Sequence, residues 1–122
     1  MSLDVPAAVL ASAERGELTD EQFLSVVRDS LPYAWEVVSA AAADGEHAVP
    51  PPSEAHRGQL LRALASTSIR TALERHFGVA LAFQNCHKVA AFPLDEVGGA
   101  AHRRFISPRE QILNQTPELR DC

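Results

Sequence analysis

Apolar residues recur at helical spacing from residue 59 to residue 77, and this stretch is the clearest feature of the chain. At about 100° per residue the apolar positions share one arc of roughly 220°. They are Leu60, Leu61, Leu64, Ala65, Ile69, Ala72 and Leu73. Ser53 before the stretch suits an N-cap, and Gly78 after it suits a left-handed helix end. The pattern predicts one central amphipathic helix, enclosed on several sides.

A strand-like pattern follows Gly78. Apolar and smaller or polar residues alternate in residues 79–84 (VALAFQ), and residues 89–92 (VAAF) are again apolar. Asn85, Cys86 and His87 lie between the two runs, where the chain is expected to turn. The pattern indicates a short antiparallel hairpin or sheet, although one long strand over residues 79–92 is also compatible with it. Because a two-stranded hairpin is marginal alone, we expect it to pack on helices or pair with another strand.

The first part of the chain is predicted to be helical. Residues 2–16 favour a short helix, and Thr19 with Gln22 forms a capping-box pattern that starts a second one. Pro32 cannot donate its amide, so it breaks or bends that helix, and residues 33–43 are helical again. Residues 44–52 (DGEHAVPPP) combine turn residues with three prolines and are interpreted as a stiff connector.

The last part of the chain gives shorter signals. Residues 93–101 are predicted to be a loop, and residues 103–106 one further short strand. Ser107 and Pro108 then start a helix that runs to about Asn114, while the tail favours a further helical start after Pro117. The fold class that results is α+β within one domain, residues 1–122. It has a helical N-terminal two-thirds, a small antiparallel hairpin or sheet, and a short C-terminal helix.

Composition narrows the cellular setting. With 46% hydrophobic and 22% charged residues the chain is ordinary for a globular protein, and it has no apolar run of membrane-spanning length. The N-terminus lacks the pattern of a secretory signal, which predicts a cytoplasmic protein without a membrane partner. Lys88 is the single lysine beside ten arginines, and alanine is abundant. Both features favour a high-GC bacterial source, for which we expect an actinobacterium.

Charge is distributed unevenly along the chain. Residues 1–52 hold nine acidic and two basic groups (net −7), whereas residues 53–122 hold seven acidic and nine basic groups (net +2). The overall charge of −5 disfavours nonspecific contact with a phosphate backbone, so a nucleic-acid partner is not expected. The basic half predicts either a solvated face that pairs with the protein's own acidic half or a site for an anion or acidic partner.

Few residues are candidates for chemistry. Cys86 and His87 combine a nucleophile with a base and are weak catalytic candidates, since neighbours in an extended chain point to opposite faces. Asn85 and three arginines are weak binding candidates: Arg103, Arg104 and Arg109. The histidines and cysteines show no Cys-x-x-Cys, His-x-x-x-His or His-Glu-x-x-His spacing, so neither a metal nor a cofactor is predicted. Cys86 and Cys122 are expected to be free thiols.

Two functional hypotheses follow from these patterns. The first is a non-catalytic binding or accessory protein that acts through a protein partner or through self-association, for example as a homodimer. The alternative is a small enzyme or small-molecule-binding protein with a pocket near Cys86, His87 and the arginines. The sequence leaves open which of the two is correct, and therefore whether the protein is an enzyme.

Overall fold

A computed structural model of the chain describes residues 2–85 and 87–114. In chain order the elements are α1 (Ala7–Glu14), α2 (Asp20–Ser30), α3 (Pro32–Asp44), β1 (Glu46–His47), α4 (Glu54–Leu64), α5 (Thr67–Phe77), β2 (Val79–Gln84), β3 (Lys88–Pro93), a 3-10 turn (Leu94–Glu96), α6 (Ala100–Phe105) and α7 (Pro108–Leu113). This confirms the predicted α+β class. The predicted restart after Pro117 lies outside the described residues.

The predicted helix starts and the predicted break at Pro32 are confirmed. At the start of α2, Gln22 donates its amide to Thr19 Oγ1 (3.1 Å), and Thr19 donates its own to Gln22 Oε1 (3.0 Å). Pro32 opens α3 as its first residue. Since α3 has no side-chain cap of its own, Gln59 on α4 supplies one and accepts the amides of Tyr33 and Ala34 at 2.7 and 3.2 Å.

The prediction of a single central helix is wrong. The chain leaves helical geometry at Ser66 (φ −89°, ψ 118°), whose side chain caps α5 by accepting the amide of Ile69. Serine competes for nearby backbone groups in this way, which favours a cap over a helix interior. The break changes which side chains are buried: Leu60 and Leu73 lie in the core as predicted, but Leu61 is 43% exposed.

The sheet contains a strand that the sequence pattern did not show. The strand order is β1-β3-β2, with both pairings antiparallel, so β3 lies in the centre. The predicted hairpin is confirmed as β2 and β3, which turn at Asn85. β1 lies inside the segment predicted to be a connector, where Glu46 is opposite Ala90 and His47 is opposite Val89. Two residues are too few for a recognisable alternation, because their pairing depends on β3.

The two faces of the sheet meet different partners. The inner face packs on α2–α5 and contributes Leu81, Val89 and Ala91 to the hydrophobic core. On the outer face the ring of Phe92 contacts His102 and Phe105 of α6, with centroids 5.0 and 5.9 Å apart. The strand predicted for residues 103–106 is therefore wrong. Because these residues follow Gly98 and Gly99, they can turn back over the sheet as a short helix.

Candidate functional site

The outer edge of β2 directs backbone groups away from β3. Leu81 does not donate its amide to β3 but to Glu74 Oε2 at 2.8 Å. Opposite it, Ala91 donates its amide away from β2, to the carbonyl of Gly45 at 2.9 Å. Because direction alternates along an antiparallel ladder, Val79, Leu81 and Phe83 point their amides and carbonyls away from β3. Pro93, which has no amide, lies opposite Val79 and agrees with this assignment.

A groove runs along this edge between two helices. Its volume is about 340 Å³, and the residues that line it are Leu64, Arg70, Leu81, Ala82, Phe83, His102 and Ile106. Arg70 belongs to α5 on one side, while His102 and the exposed Ile106 belong to the α6 side. The groove therefore combines outward backbone groups with apolar side chains and a guanidinium group. Outward backbone groups combined with side-chain pockets are the features that strand-accepting sheet edges share in other proteins.

Glu74 and Arg70 are positioned beside the edge by the turn at Gly78. That glycine takes the left-handed conformation (φ 69°), which ends α5 and sends β2 back antiparallel to the helix. Glu74 and Arg70 lie four residues apart, so they share one face of α5. Glu74 reaches the amide of Leu81, and Arg70 lines the groove with Phe83. One outward amide of β2 thus donates to a side chain and not to another strand.

The turn between β2 and β3 holds two of the residues singled out from the sequence. Asn85 and His87 are buried, with 5% and 7% of their surface exposed. His87 Nδ1–H donates to the carbonyl of Asn85 at 2.7 Å, and Gln111 Nε2 donates to Asn85 Oδ1 at 2.6 Å. These contacts stabilise the turn and tie α7 to it. A catalytic role for His87 and a binding role for Asn85 stay predictions, and Cys86 lies outside the described residues.

The three candidate arginines do not form one cluster around that turn. Arg103, Arg104 and Arg109 are exposed on the short C-terminal helices. Arg104 lines a cavity of about 200 Å³ with two carboxylates and the single lysine: Glu46, Glu110 and Lys88. Two cations there face two carboxylates, which leaves the lining without net charge.

Lys88 links the parts of this second cavity. Its Nζ lies 3.4 Å from Glu46 Oε1 on β1 and donates to Asn114 Oδ1 at 2.9 Å. Asn114 in turn donates to Glu110 Oε2 at 2.7 Å. The contacts explain how the single lysine connects β1, β3 and the end of α7. Its position inside a mostly apolar strand was the sequence signal that could have marked it.

An apolar cavity of about 200 Å³ lies at the other end of the molecule. It is lined by Leu3, Val5, Val9, Leu10, Ala13, Leu18, Phe23 and Val26. These side chains belong to the N-terminal segment, α1 and the start of α2. Their contacts join α1 to the helical layer.

Comparison with known protein families places the chain in a family. A sequence profile described as "NucS shadow ORF" matches residues 1–122. The chain belongs to the NucS shadow ORF family. No curated protein and no solved structure matches it. The profile covers every element described above, including both sides of the groove, and its description names no ligand and no reaction.

Two further features of this family member bear on the kind of site. Within residues 2–85 and 87–114, no three histidine, cysteine, aspartate or glutamate residues lie together in a way that could hold a metal ion. In the same residues, none of the helices combines the length and apolar character needed to cross a membrane.

Sequence reasoning missed Arg70 and Glu74 as site residues. On the helical projection both fall opposite the apolar arc, where they are interpreted as a solvated face. A signal was nevertheless present, because α5 passes directly into β2 through one left-handed glycine. A chain that reverses so tightly brings a polar side of the helix next to an edge of the strand.

Proposed function

We propose that this member of the NucS shadow ORF family is a non-catalytic binding protein that accepts an extended strand at the edge of β2. The observation that carries the proposal is the outward direction of Val79, Leu81 and Phe83 above the groove. Pairing of backbone groups supplies affinity in such complexes, and the side chains along the groove supply specificity.

The groove defines what an incoming strand has to provide. The side chains of the incoming strand alternate between two faces. One face meets α5, and the other meets the α6 side of the groove. The α5 side offers Arg70 and Glu74, so it favours charged residues of both signs. The α6 side offers Ile106 and the ring of His102, which favour apolar residues. The expected partner is thus a protein segment with alternating charged and apolar residues.

The cellular setting remains part of this proposal. The excess of arginine over lysine and the abundance of alanine support a high-GC bacterial source such as an actinobacterium. The cytoplasmic location expected from the sequence stays a prediction.

A second candidate function rests on the cavity around Lys88. Its paired cations and carboxylates suit a small molecule that carries both charges. This cavity opens on the outer face of the sheet, and the described residues that line it do not include His87. The alternative therefore shifts from the expected Cys86 and His87 to Lys88, Arg104, Glu46 and Glu110.

Selection from a displayed peptide library tests the strand-binding proposal without a known partner. Two variants at one position provide the comparison: Phe83→Pro removes the ring and the outward amide, whereas Phe83→Ala removes only the ring. Peptides enriched on the wild type should bind Phe83→Ala but lose about fivefold in affinity on Phe83→Pro, since one hydrogen bond contributes about 1 kcal/mol. Equal binding to both variants would overturn the proposal.

The small-molecule alternative has a separate readout. A zwitterionic metabolite that fills the cavity should raise the melting temperature of the wild type through mass action. The increase should disappear in Lys88→Met and persist in Phe83→Pro. Stabilisation that persists in Lys88→Met would place the ligand elsewhere.

A further inference from the structure

We propose that the strand completing the sheet is β2 of a second copy, paired antiparallel and centred on Ala82. The inference rests on the proposed function of the β2 edge and identifies its occupant. Three properties of the edge carry it: the direction of its backbone groups, the order of charges along α5, and the small side chain at the centre.

The backbone limits the registers that two copies can adopt. Within β2, Val79, Leu81 and Phe83 direct their amides and carbonyls outward, so two copies exchange backbone hydrogen bonds only where residues of this set lie opposite each other. A two-fold axis at Ala82 places Leu81 opposite the partner's Phe83, and Phe83 opposite the partner's Leu81, while Val79 lies beyond the paired region. Shifts by two residues place the axis at Leu81 or at Phe83 instead.

The charges on α5 select among these registers. Four residues of a helix rise about 6 Å, and two residues of a strand rise about 6.6 Å, so α5 and β2 advance in step. Glu74 lies beside Leu81, and this equal advance brings Arg70, which also lines the groove, to the level of Phe83. With the axis at Ala82, Glu74 therefore faces the partner's Arg70, and Arg70 faces the partner's Glu74. An axis at Leu81 would oppose two glutamates, and one at Phe83 would oppose two arginines.

The hydrogen bond between Glu74 and Leu81 can be exchanged for new bonds in the dimer. In the free chain Glu74 Oε2 accepts the amide of Leu81. In the dimer that amide donates to the carbonyl of the partner's Phe83, which releases the carboxylate to pair with the partner's Arg70. Glu74 thus protects the edge in the monomer and contributes an ion pair in the dimer.

The outer face fits the same arrangement. At the axis the two Ala82 residues form a pair without backbone hydrogen bonds, in which the Cα atoms lie about 4.5 Å apart. Alanine is small enough for that separation. Ile106, which is 49% exposed and lines the groove, would be covered by the second copy.

Charge reversal tests the pairing of α5 with its copy. Sedimentation velocity should show a wild-type dimer, a dissociation constant raised at least tenfold in Glu74→Arg and in Arg70→Glu, and recovery in the double variant. A mixture of the two single variants should form the heterodimer, because each brings the charges that the other needs. Arg109→Glu, at an exposed position of α7, changes the net charge by the same amount as Arg70→Glu and should dimerise like the wild type.

Disulfide formation tests the register. In a Cys86→Ser, Cys122→Ser background, Ala82→Cys should cross-link two copies on mild oxidation, since Cα atoms about 4.5 Å apart lie within disulfide range. Ala80→Cys is the matched control: its two copies would lie about 13 Å apart along the strands and should not cross-link. Cross-linking of Ala80→Cys but not of Ala82→Cys would overturn the register.

The outcomes separate this inference from the proposed function. A wild type that stays monomeric at its highest attainable concentration overturns the dimer. If peptides selected on it still lose affinity for Phe83→Pro, strand binding at the edge stands with another partner. If instead the wild type dimerises and neither dimer nor peptide affinity responds to Phe83→Pro, the β2 edge is not the contact surface, and both proposals fail.

Discussion

The two edges of the sheet differ in length, sequence and cover. β1 has two residues, and Val49 and three prolines follow closely behind it. Prolines lack an amide and short edges offer few backbone groups, which are two common protections against unwanted strand pairing. β2 has six residues, contains no proline and borders a groove. At the β1 edge, the short strand and the prolines that follow it limit pairing with a further strand. At the β2 edge, the carboxylate of Glu74 accepts one outward amide.

This difference indicates where the molecule can bind without risking its fold. The inner face of the sheet is packed against the helical layer, and β3 has neighbours on both sides. A strand that pairs at β2 would leave these contacts in place. On the outer face, α6 has six residues and contributes no buried residue, and together with Ile106 it forms a thin wall of the groove.

The largest expected effect distinguishes the inward from the outward positions of β2. Ala82→Pro removes an amide directed at β3, leaves a carbonyl unpaired and should lower the free energy of unfolding by about 3 kcal/mol or more. Phe83→Pro removes an outward amide, which does not pair with β3. Its free energy of unfolding should therefore lie within about 1 kcal/mol of that of Phe83→Ala. Urea denaturation measures both. Greater loss in Phe83→Pro would mean that the assigned directions are reversed.

The next largest effect on stability concerns the prolines that follow β1. Replacing Pro50, Pro51 and Pro52 with alanine should lower the free energy of unfolding by about 1–3 kcal/mol in total, because the unfolded chain gains freedom. It should also allow residues 48–52 to pair, so self-association should begin at a lower concentration than in the wild type. Val49→Ala, at an exposed position, is the control. Unchanged light scattering in the triple variant would show that the short length of β1, and not the prolines, prevents pairing at this edge.

A smaller effect on stability is expected at Glu74, which accepts the outward amide at the β2 edge. Glu74→Ala removes the acceptor of the Leu81 amide and should cost about 0.5–1.5 kcal/mol, with faster hydrogen exchange at Leu81 in the monomer. Glu74→Gln keeps an acceptor oxygen and should restore part of the protection. Glu14→Ala, exposed on α1, should change neither quantity. Unaltered exchange in Glu74→Ala would show that the carboxylate does not protect the edge.

The smallest effect on stability concerns Tyr33, at the start of α3. Burial, with a further contribution from Glu36, raises the pKa of Tyr33 above its ordinary value of 10.0. Its ring contacts His56 at the start of α4, at a centroid distance of 4.7 Å. Because the folded state holds the phenol proton more tightly, this contribution is complete below pH 10 and falls as pH rises through the higher folded pKa.

Tyr33→Phe checks that pH dependence. The variant should show a shallower loss of stability than the wild type between about pH 9 and pH 11, where tyrosine titrates. Urea midpoints across this range measure it. Identical slopes in the two proteins would show that Tyr33 does not contribute.

Local signals predicted a large part of this fold. The capping box at Thr19, the break at Pro32, the start at Ser107 and the alternation in residues 79–84 all act within a few residues. Each is set by an amide that finds a nearby oxygen, by a proline ring or by a turn, so the sequence alone determines it. The same reasoning gave the α+β class and most of the core on α4 and α5.

The tertiary structure decided the rest. β1 is a strand only because β3 lies beside it, and the segment after Gly99 becomes a helix by packing on Phe92. Periodicity shows that a residue faces the core, but it does not show which neighbour it meets there. The direction of the Leu81 amide, and with it the free edge beside Glu74 and Arg70, depends on contacts between segments distant in sequence. The glycine between α5 and β2 indicates that the two elements lie side by side, but the outward direction of the backbone groups could not be read from the residues, since it depends on which strands pair.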